Sequence, residues 1–371
     1  GGAVGARSTQ TLSKALAQLK EVLGESPEAQ YIYEQLEAAY QRHETYGMAT
    51  ADYVHQLFGR YGLLVLDMAR PAFKRAFVPI MEEELFEQAS QAYIEAAQAQ
   101  LEAVGFSGQA HAREINLFYL GQGYRERIVK EGDTYLVLNQ DLQFSAAQLR
   151  EELRAHPERF SPNVIMRPLF QELILPNLAY VGGGGEIAYW LERKEQFAHF
   201  GIPFPMLIRR NSLLWLDRGN CQRMDKLGLT VEDLFQDTDA LIRAYVTKSA
   251  QSELTIAEEK AQLESLFQSI ANKARDIDPT LAKAILAEYT RQAKSLDNLE
   301  GRLLRAEKQK HETALNQIRK LKEKLFPNNG LQERYDNFLN FYPRYGDRFF
   351  EILLTHLDPL TEGFVVIADR D

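Results

Sequence analysis

The sequence predicts an α/β core with helical insertions and a long α-helical coiled-coil domain, mostly helical overall. Three observations predict it. Residues 175–190, LPNLAYVGGGGEIAYW, read as a short apolar strand, a four-glycine corner and a helix. Residues 62–67, GLLVLD, form an apolar run without alternation, the pattern of a parallel strand covered on both faces. From Leu263 to Leu325, leucines and isoleucines recur at helical spacing in two seams.

Composition sets the bounds. A chain of 371 residues, 45% of them hydrophobic, has room for roughly two or three domains of about 100 to 200 residues. A net charge of −9 argues against wholesale coating of nucleic acid. The single cysteine, Cys221, excludes an internal disulfide and fits a reducing cytoplasm. No signal-peptide pattern opens the sequence, and no apolar run reaches the roughly 18 residues of a membrane span. A cytoplasmic protein with neither membrane nor nucleic-acid partner is expected. The sequence opens Gly1-Gly2-Ala3 rather than with Met, which reads as a fragment whose natural start lies upstream.

Residues 1–60 read as a helical connecting segment. Leu12, Leu16, Leu19 and Leu23 make one stripe closed by Gly24. Ser26-Pro27 is a cap with first-turn proline for a helix to Tyr40, and Thr50 is expected to cap a shorter one through Phe58. Residues 61–220 read as the core portion. Asp67 ends the first strand, where open α/β sheets place ligands, although a turn or cap before Pro71 suits it equally. A helical pattern runs from Pro71 to about Leu101. Its Glu82-Glu83-Glu84 face is read as solvated rather than metal-binding, because adjacent helical positions point apart. A hairpin-bearing insertion is expected at about 102–160, turning at Glu131-Gly132-Asp133, and Ser145 with Gln148 forms a capping box for the helix to His156.

The polar groups that suggest a site surround the glycines. In 161–172, SPNVIMRPLFQE, a spacing of four places Asn163, Arg167 and Gln171 on one helical face. Gly182, Gly183, Gly184 and Gly185 let the backbone approach a ligand closely, and the N–H groups of the helix that Glu186 opens favour phosphate or carboxylate. The run fits neither GxxxxGK[ST] nor a full GxGxxG, so a tight structural turn stands as the alternative. Arg167 and Arg210 carry planar forks suited to clamping an anion, unless each pairs with a neighbour such as Glu172 or Asp217. The seven histidines show no metal-ligand spacing, no Ser/His/Asp signature supports hydrolysis, and Cys221 reads as incidental; no metal is assigned.

Residues 221–327 read as the coiled coil. Asp278-Pro279 restarts a helix that continues to Phe326, roughly 70 Å at about 1.5 Å per residue, which requires a partner: an antiparallel hairpin and a dimer contact. Between Arg302 and Lys324 eight Lys or Arg face three Glu, read as a solvated face rather than an RNA-binding arm because few aromatics interleave. Residues 328–371 are expected to pack back on the core, with 363–367 docking as a strand.

The stretch SPNVIMRPLFQELILPNLAYVGGGGEIAYWLERKEQFAHFGIPFPMLIRRNS resembles the bacillithiol biosynthesis cysteine-adding enzyme family. YGLLVLD, EINLFYL, RERIV and LQERYDNFLNFYPRYGDRFFEILLTHLDPL extend the resemblance over nearly the whole chain. It implies a Rossmann-like core of the class I nucleotidyltransferase kind, connecting insertions and a coiled coil that makes a homodimer. It also implies a ligase that joins cysteine to glucosaminyl malate by an amide (C–N) bond in the last step of bacillithiol synthesis. A carboxylate is a poor electrophile, so acylating the amine calls for activation, and ATP or ADP, with magnesium as an option, is the expected cofactor. The family's N-terminal half of the core, with its Gly-rich and His-containing motifs, is not found in the sequence. The expectation is a partial core, inactive without that region. Met68-Ala69-Arg70 is less acidic than the family pattern after its LD.

The substrate- or nucleotide-binding set read from these stretches is Asp67, Asn163, Arg167, Gln171, Asn177, Gly182, Gly183, Gly184, Gly185, Glu186, Tyr189, Arg210 and Ser212; no catalytic residue is assigned. A different class fits the same features: a coiled-coil dimerisation and nucleotide-binding module without turnover of its own.

Overall fold

A computed structural model describes residues 4–249 and 255–370. The chain divides into two compact units, Gly1–Asn211 with Asn337–Gly363, and Ser212–Asp336 with Phe364–Asp371.

The first unit opens with helices Ser13–Leu23, Pro27–Arg42 and Tyr46–Phe58. Ser26 caps the second, accepting from the Ala29 N–H at 3.1 Å with Pro27 at the first helical position. The third starts earlier than expected: Thr45, not Thr50, is its cap, with Oγ1 accepting from Met48. Asn337–Gly363 returns to this helical layer. Ser26 Oγ donates to the Pro343 carbonyl at 2.8 Å, Arg60 pairs with Asp347 at 2.9 Å, and Phe58 meets Phe350 edge to face.

Residues 62–67 are not a strand, contrary to the sequence reading. No strand among the described residues pairs with them, and Leu63, Leu64, Val65 and Leu66 are exposed. Asp67 therefore ends no strand; it is exposed, and its Oδ1 accepts from the Ala69 N–H at 2.9 Å in a local turn. The following helical stretch is broken at Gln88, whose φ of 55° is left-handed, into Pro71–Glu87 and Ser90–Ala103. The three glutamates diverge as their spacing requires, but they are not the solvated face expected, since two are ion-paired and one is buried. Glu82 pairs with Arg150 and Arg154, Glu83 with His199, and Glu84 is buried, accepting from Asn116 and Ser90.

The insertion is an antiparallel sheet: β1 Leu117–Gly121, β2 Tyr124–Glu131, β3 Thr134–Val137, β4 Leu142–Ser145 and β5 Phe160–Pro162, in the order β4-β3-β2-β1-β5. Its two tight turns use Gly123 and Gly132 at positive φ. Ser145 and Gln148 form the expected capping box of helix Ala146–Ala155. Ile128, Tyr135 and Val137 from the sheet pack with Phe77, Met81, Leu85, Leu149 and Leu153 in the main core of this unit. Beside it lies the Rossmann-like element: β6 Ala179–Gly182, helices Gly184–Leu191 and Lys194–His199, then β7 Met206–Arg209 parallel to β6, with Ala179 opposite Met206 and Gly182 opposite Arg209.

In the second unit β8, Ser212–Leu216, pairs in parallel with β9, Phe364–Ala368, so the tail does dock as a strand. Asp217 caps helix Arg218–Leu227, and Cys221 is buried with Leu214, Leu216, Met224, Ile242, Ile318 and Leu321. Ala257–Arg275 and Pro279–Lys310 form an antiparallel hairpin, restarted by Asp278, whose carboxylate accepts from Thr280 at 2.7 Å. The expected continuous helix is interrupted at His311, where Glu312–Leu325 begins; the first part spans roughly 48 Å at about 1.5 Å per residue. Among the described residues no helix is long and apolar enough to cross a membrane.

Candidate functional site

The glycine run works differently from a corner that needs positive φ. None of Gly182, Gly183, Gly184 or Gly185 lies in the left-handed region. Their use is space. A Cβ on Gly182 would lie 2.7 Å from the Tyr180 ring and 3.2 Å from Glu186 Cβ, so this glycine is needed for packing. A Cβ on Gly184 or Gly185 would meet nothing within 4 Å, and both face solvent in the first turn of helix Gly184–Leu191. Gly183 is the cap residue, and its N–H donates to Glu186 Oε2 at 2.8 Å, so the helix supplies one carboxylate to its own N-terminus.

Arg210 stands over this turn. Its N–H donates to the Gly182 carbonyl at 2.8 Å, and its exposed guanidinium lies 3.5 Å from where a Gly183 Cβ would be. Its side chain makes no hydrogen bond or ion pair with the described residues of the first unit. The exposed Arg210 fork thus lies beside a helix N-terminus that already holds the Glu186 carboxylate at the Gly183 N–H.

On the inner side the helical spacing does gather its residues, though not as one ligand face. Arg167 Nη1 donates to Gln171 Oε1 at 2.9 Å and Nη2 to the Tyr189 hydroxyl. Burial opposes the Arg167 charge, yet Tyr189 and Tyr180 hold its pKa above the ordinary value. Tyr180 stacks on Trp190 with centroids 4.1 Å apart and donates to Glu186. Gln171, Arg167 and Tyr189 thus form one hydrogen-bonded group, and Tyr180, Glu186 and Gly183 a second at the glycine turn. Tyr180 was absent from the sequence set; its place two residues before Gly182, on a strand entering the corner, was the available signal.

Other members are occupied elsewhere. Asn163 Oδ1 accepts from the Ile165 N–H at 2.7 Å and the Met166 N–H at 3.2 Å, capping the turn into helix Arg167–Ile174, while its Nδ2 donates to Asn116. Asn177 is held by buried Glu172, which accepts from its N–H and from its Nδ2, both at 2.8 Å. Ser212 belongs to the second unit and donates to Glu333 at 3.2 Å; Asp67 lies in its own turn. Beneath Tyr189 sits Arg193, fully buried with its guanidinium 5.3 Å from the ring centroid, no hydrogen-bond partner for that group among the described residues, and Glu192 at 3.9 Å; burial lowers its pKa to about 10.

The fold is that of a Rossmann-like α/β protein with a strand, glycine turn and helix, joined to a coiled-coil domain. Two family models cover the chain: the bacillithiol biosynthesis BshC N-terminal Rossmann-like domain over residues 2–211, and the BshC C-terminal coiled-coil domain over residues 214–368. The chain belongs to the BshC family. Among curated relatives, the protein of Flavobacterium johnsoniae named "Putative cysteine ligase BshC" is 41% identical over 99% of this chain and 69% of its own length. Those of Flavobacterium psychrophilum and Cytophaga hutchinsonii, under the same name, are 40% and 37% identical over 99% and 97% of this chain and 68% and 67% of theirs. The match of the Rossmann-like family model from residue 2 gives no support to the expected loss of the N-terminal part of that core.

Proposed function

We propose that this cysteine-ligase family member joins the carboxyl group of cysteine to the amine of glucosaminyl malate, forming an amide bond in the last step of bacillithiol synthesis in the cytoplasm. The observation that carries the reading is the first turn at Gly184 and Gly185, free of side chains, beside the Arg210 guanidinium, which makes no ion pair with the described residues of its unit. That pairing of donors and positive charge suits an adenine nucleotide's phosphates, with or without magnesium, or a substrate carboxylate. ATP or ADP fits the residues present: Gly184, Gly185 and Arg210 would hold its phosphates. When bound, a nucleotide supplies activation of a carboxyl group. The chain's own residues orient and shield. Arg167, bonded to Gln171 and Tyr189, and the Tyr180 and Trp190 stack would hold the glycine helix in a fixed place behind the ligand.

The test is mass-spectrometric detection of bacillithiol from cysteine and glucosaminyl malate, with and without ATP, using this chain beside the F. johnsoniae relative. Product from this chain is expected. Product from the relative alone, with this chain folded, would favour the second reading, a dimerisation and nucleotide-binding module without turnover. Calorimetry with ADP or ATP locates the site: Arg210→Ala combined with Gly184→Val is expected to weaken binding at least tenfold, and unchanged binding would remove the nucleotide from this turn.

A further inference from the structure

A charged cavity lies in the sheet insertion, sharing no residue with the glycine turn. β1 accompanies β2 only as far as the Phe118 and Arg127 pair, while β1's Leu117 is opposite Pro162 of β5. Next to the second half of β2, a cavity of about 310 Å³ is bounded by the loop before β1 and by Gln91 of helix Ser90–Ala103.

Arg113, Arg127 and Lys130 line this cavity, with Glu114 the one carboxylate among its lining residues. Three positive charges less one negative leave an excess of two. None of the three cations has an ion-pair partner among the described residues; Lys130 has only the Tyr135 ring, 5.7 Å from Nζ. The contrast within the same insertion is sharp. Arg150 and Arg154 pair with Glu82, Arg159 with Glu152, and Arg125 donates to Ser161 and to the Pro162 carbonyl. In a chain of net charge −9, Arg113 and Arg127 keep their charge around one concavity, where an anion would meet a local positive field. The inner wall includes buried Ile115 and Ile128, whose low polarity strengthens a charged contact made against them.

We propose that this cavity is a binding site for a small dianion, carrying either one phosphate group or two carboxylates. The two guanidinium forks match both kinds of oxygen pair, and the volume lies at the small end of ligand pockets, which excludes bulky occupants. Gln91, whose Nε2 already donates to Glu95, keeps its amide oxygen to accept from a hydroxyl on the ligand. This proposal stands independently of the ligase reading, because it uses neither the glycine helix nor Arg210.

The test is calorimetric titration of the chain with inorganic phosphate and with malonate, at constant ionic strength balanced by sodium chloride. Binding of at least one is expected. Phosphate alone would mark a phosphate-bearing ligand and malonate alone a dicarboxylate, with both marking a site that reads only charge. Arg113→Gln and Arg127→Met should each weaken binding about tenfold or more, Glu114→Gln should tighten it several-fold, and Arg210→Ala should leave it unchanged. Arg113→Gln lies in a loop and Lys130→Gln at an exposed position, so either serves if Arg127→Met lowers the melting temperature. Binding of neither anion overturns the proposal, as does binding that the Arg113 and Lys130 substitutions leave unmoved.

Discussion

Glu84 shows how one buried carboxylate fixes several segments at once. It is fully buried in helix Pro71–Glu87, accepts from the Asn116 N–H at 3.0 Å, from Asn116 Nδ2 at 2.7 Å and from the Ser90 N–H at 3.3 Å, and so ties two helices to the loop before β1. Burial pushes its carboxyl above the usual range, outweighing the hydrogen bonds from Ser90 and Asn116 that act to hold it down. A carboxyl whose folded pKa is raised contributes stability that is fully present below its unfolded value, about 4.5, and is lost as pH rises through the folded value. Wild-type stability relative to Glu84→Gln should therefore fall as pH rises from about 4.5 toward neutrality, as denaturant midpoints of the two chains would show. The same scale explains why the candidate site was only partly legible. Asn163 and Asn177 have the chemistry of ligand residues, but their amides are spent on the turns at either end of helix Arg167–Ile174. Residue type gives the donor; it does not tell which neighbour takes it.

At the scale of elements, local chemistry was readable wherever the deciding partner lies within a few residues. The Ser26 cap, the Ser145 and Gln148 box and the Asp278 restart appear where the sequence places them. The strand expected at 62–67 does not form, because a strand exists only by a ladder partner that local composition cannot supply. The glycine helix divides its four glycines by role, and this can be measured. Gly182→Ala should destabilise by about 1–3 kcal/mol through contact with Tyr180 and Glu186, whereas Gly184→Ala, placed in open space on ordinary helical backbone, should stabilise by about 0.4–1 kcal/mol. Thermal melts of the two variants check this; equal losses would show that the first turn is more closely packed than its geometry implies.

For the whole molecule, the helical hairpin of the second unit leaves apolar side chains exposed along its length. Its own seam buries only small side chains, Ala271, Ala274 and Ala282, while Leu266, Ile270, Leu281, Leu299 and Leu303 are exposed. Apolar residues at helical spacing on a hairpin this long are what a second copy would cover, and we infer a homodimer through the coiled coil. Sedimentation should give a dimer that Leu299→Arg with Leu303→Arg converts to monomer; a monomer at all concentrations in the unsubstituted chain would refute it.

The sequence by itself determined the alternation of caps and apolar stripes, the strand, glycine and helix order of the core element, the coiled-coil seam and the family. All of these are written in neighbouring residues and follow from backbone geometry and helical or strand period. Tertiary structure alone decided which polar groups remain available. Ser212 is taken by Glu333, Asn116 by Glu84, and Arg167 by Tyr189, whereas Arg210 beside the glycine turn, and Arg113 and Arg127 in the insertion, have no ion-pair partner among the described residues of their unit. The partners are brought together by packing across distant parts of the chain, and a short-range polar contact forms only once that packing has fixed both groups in place.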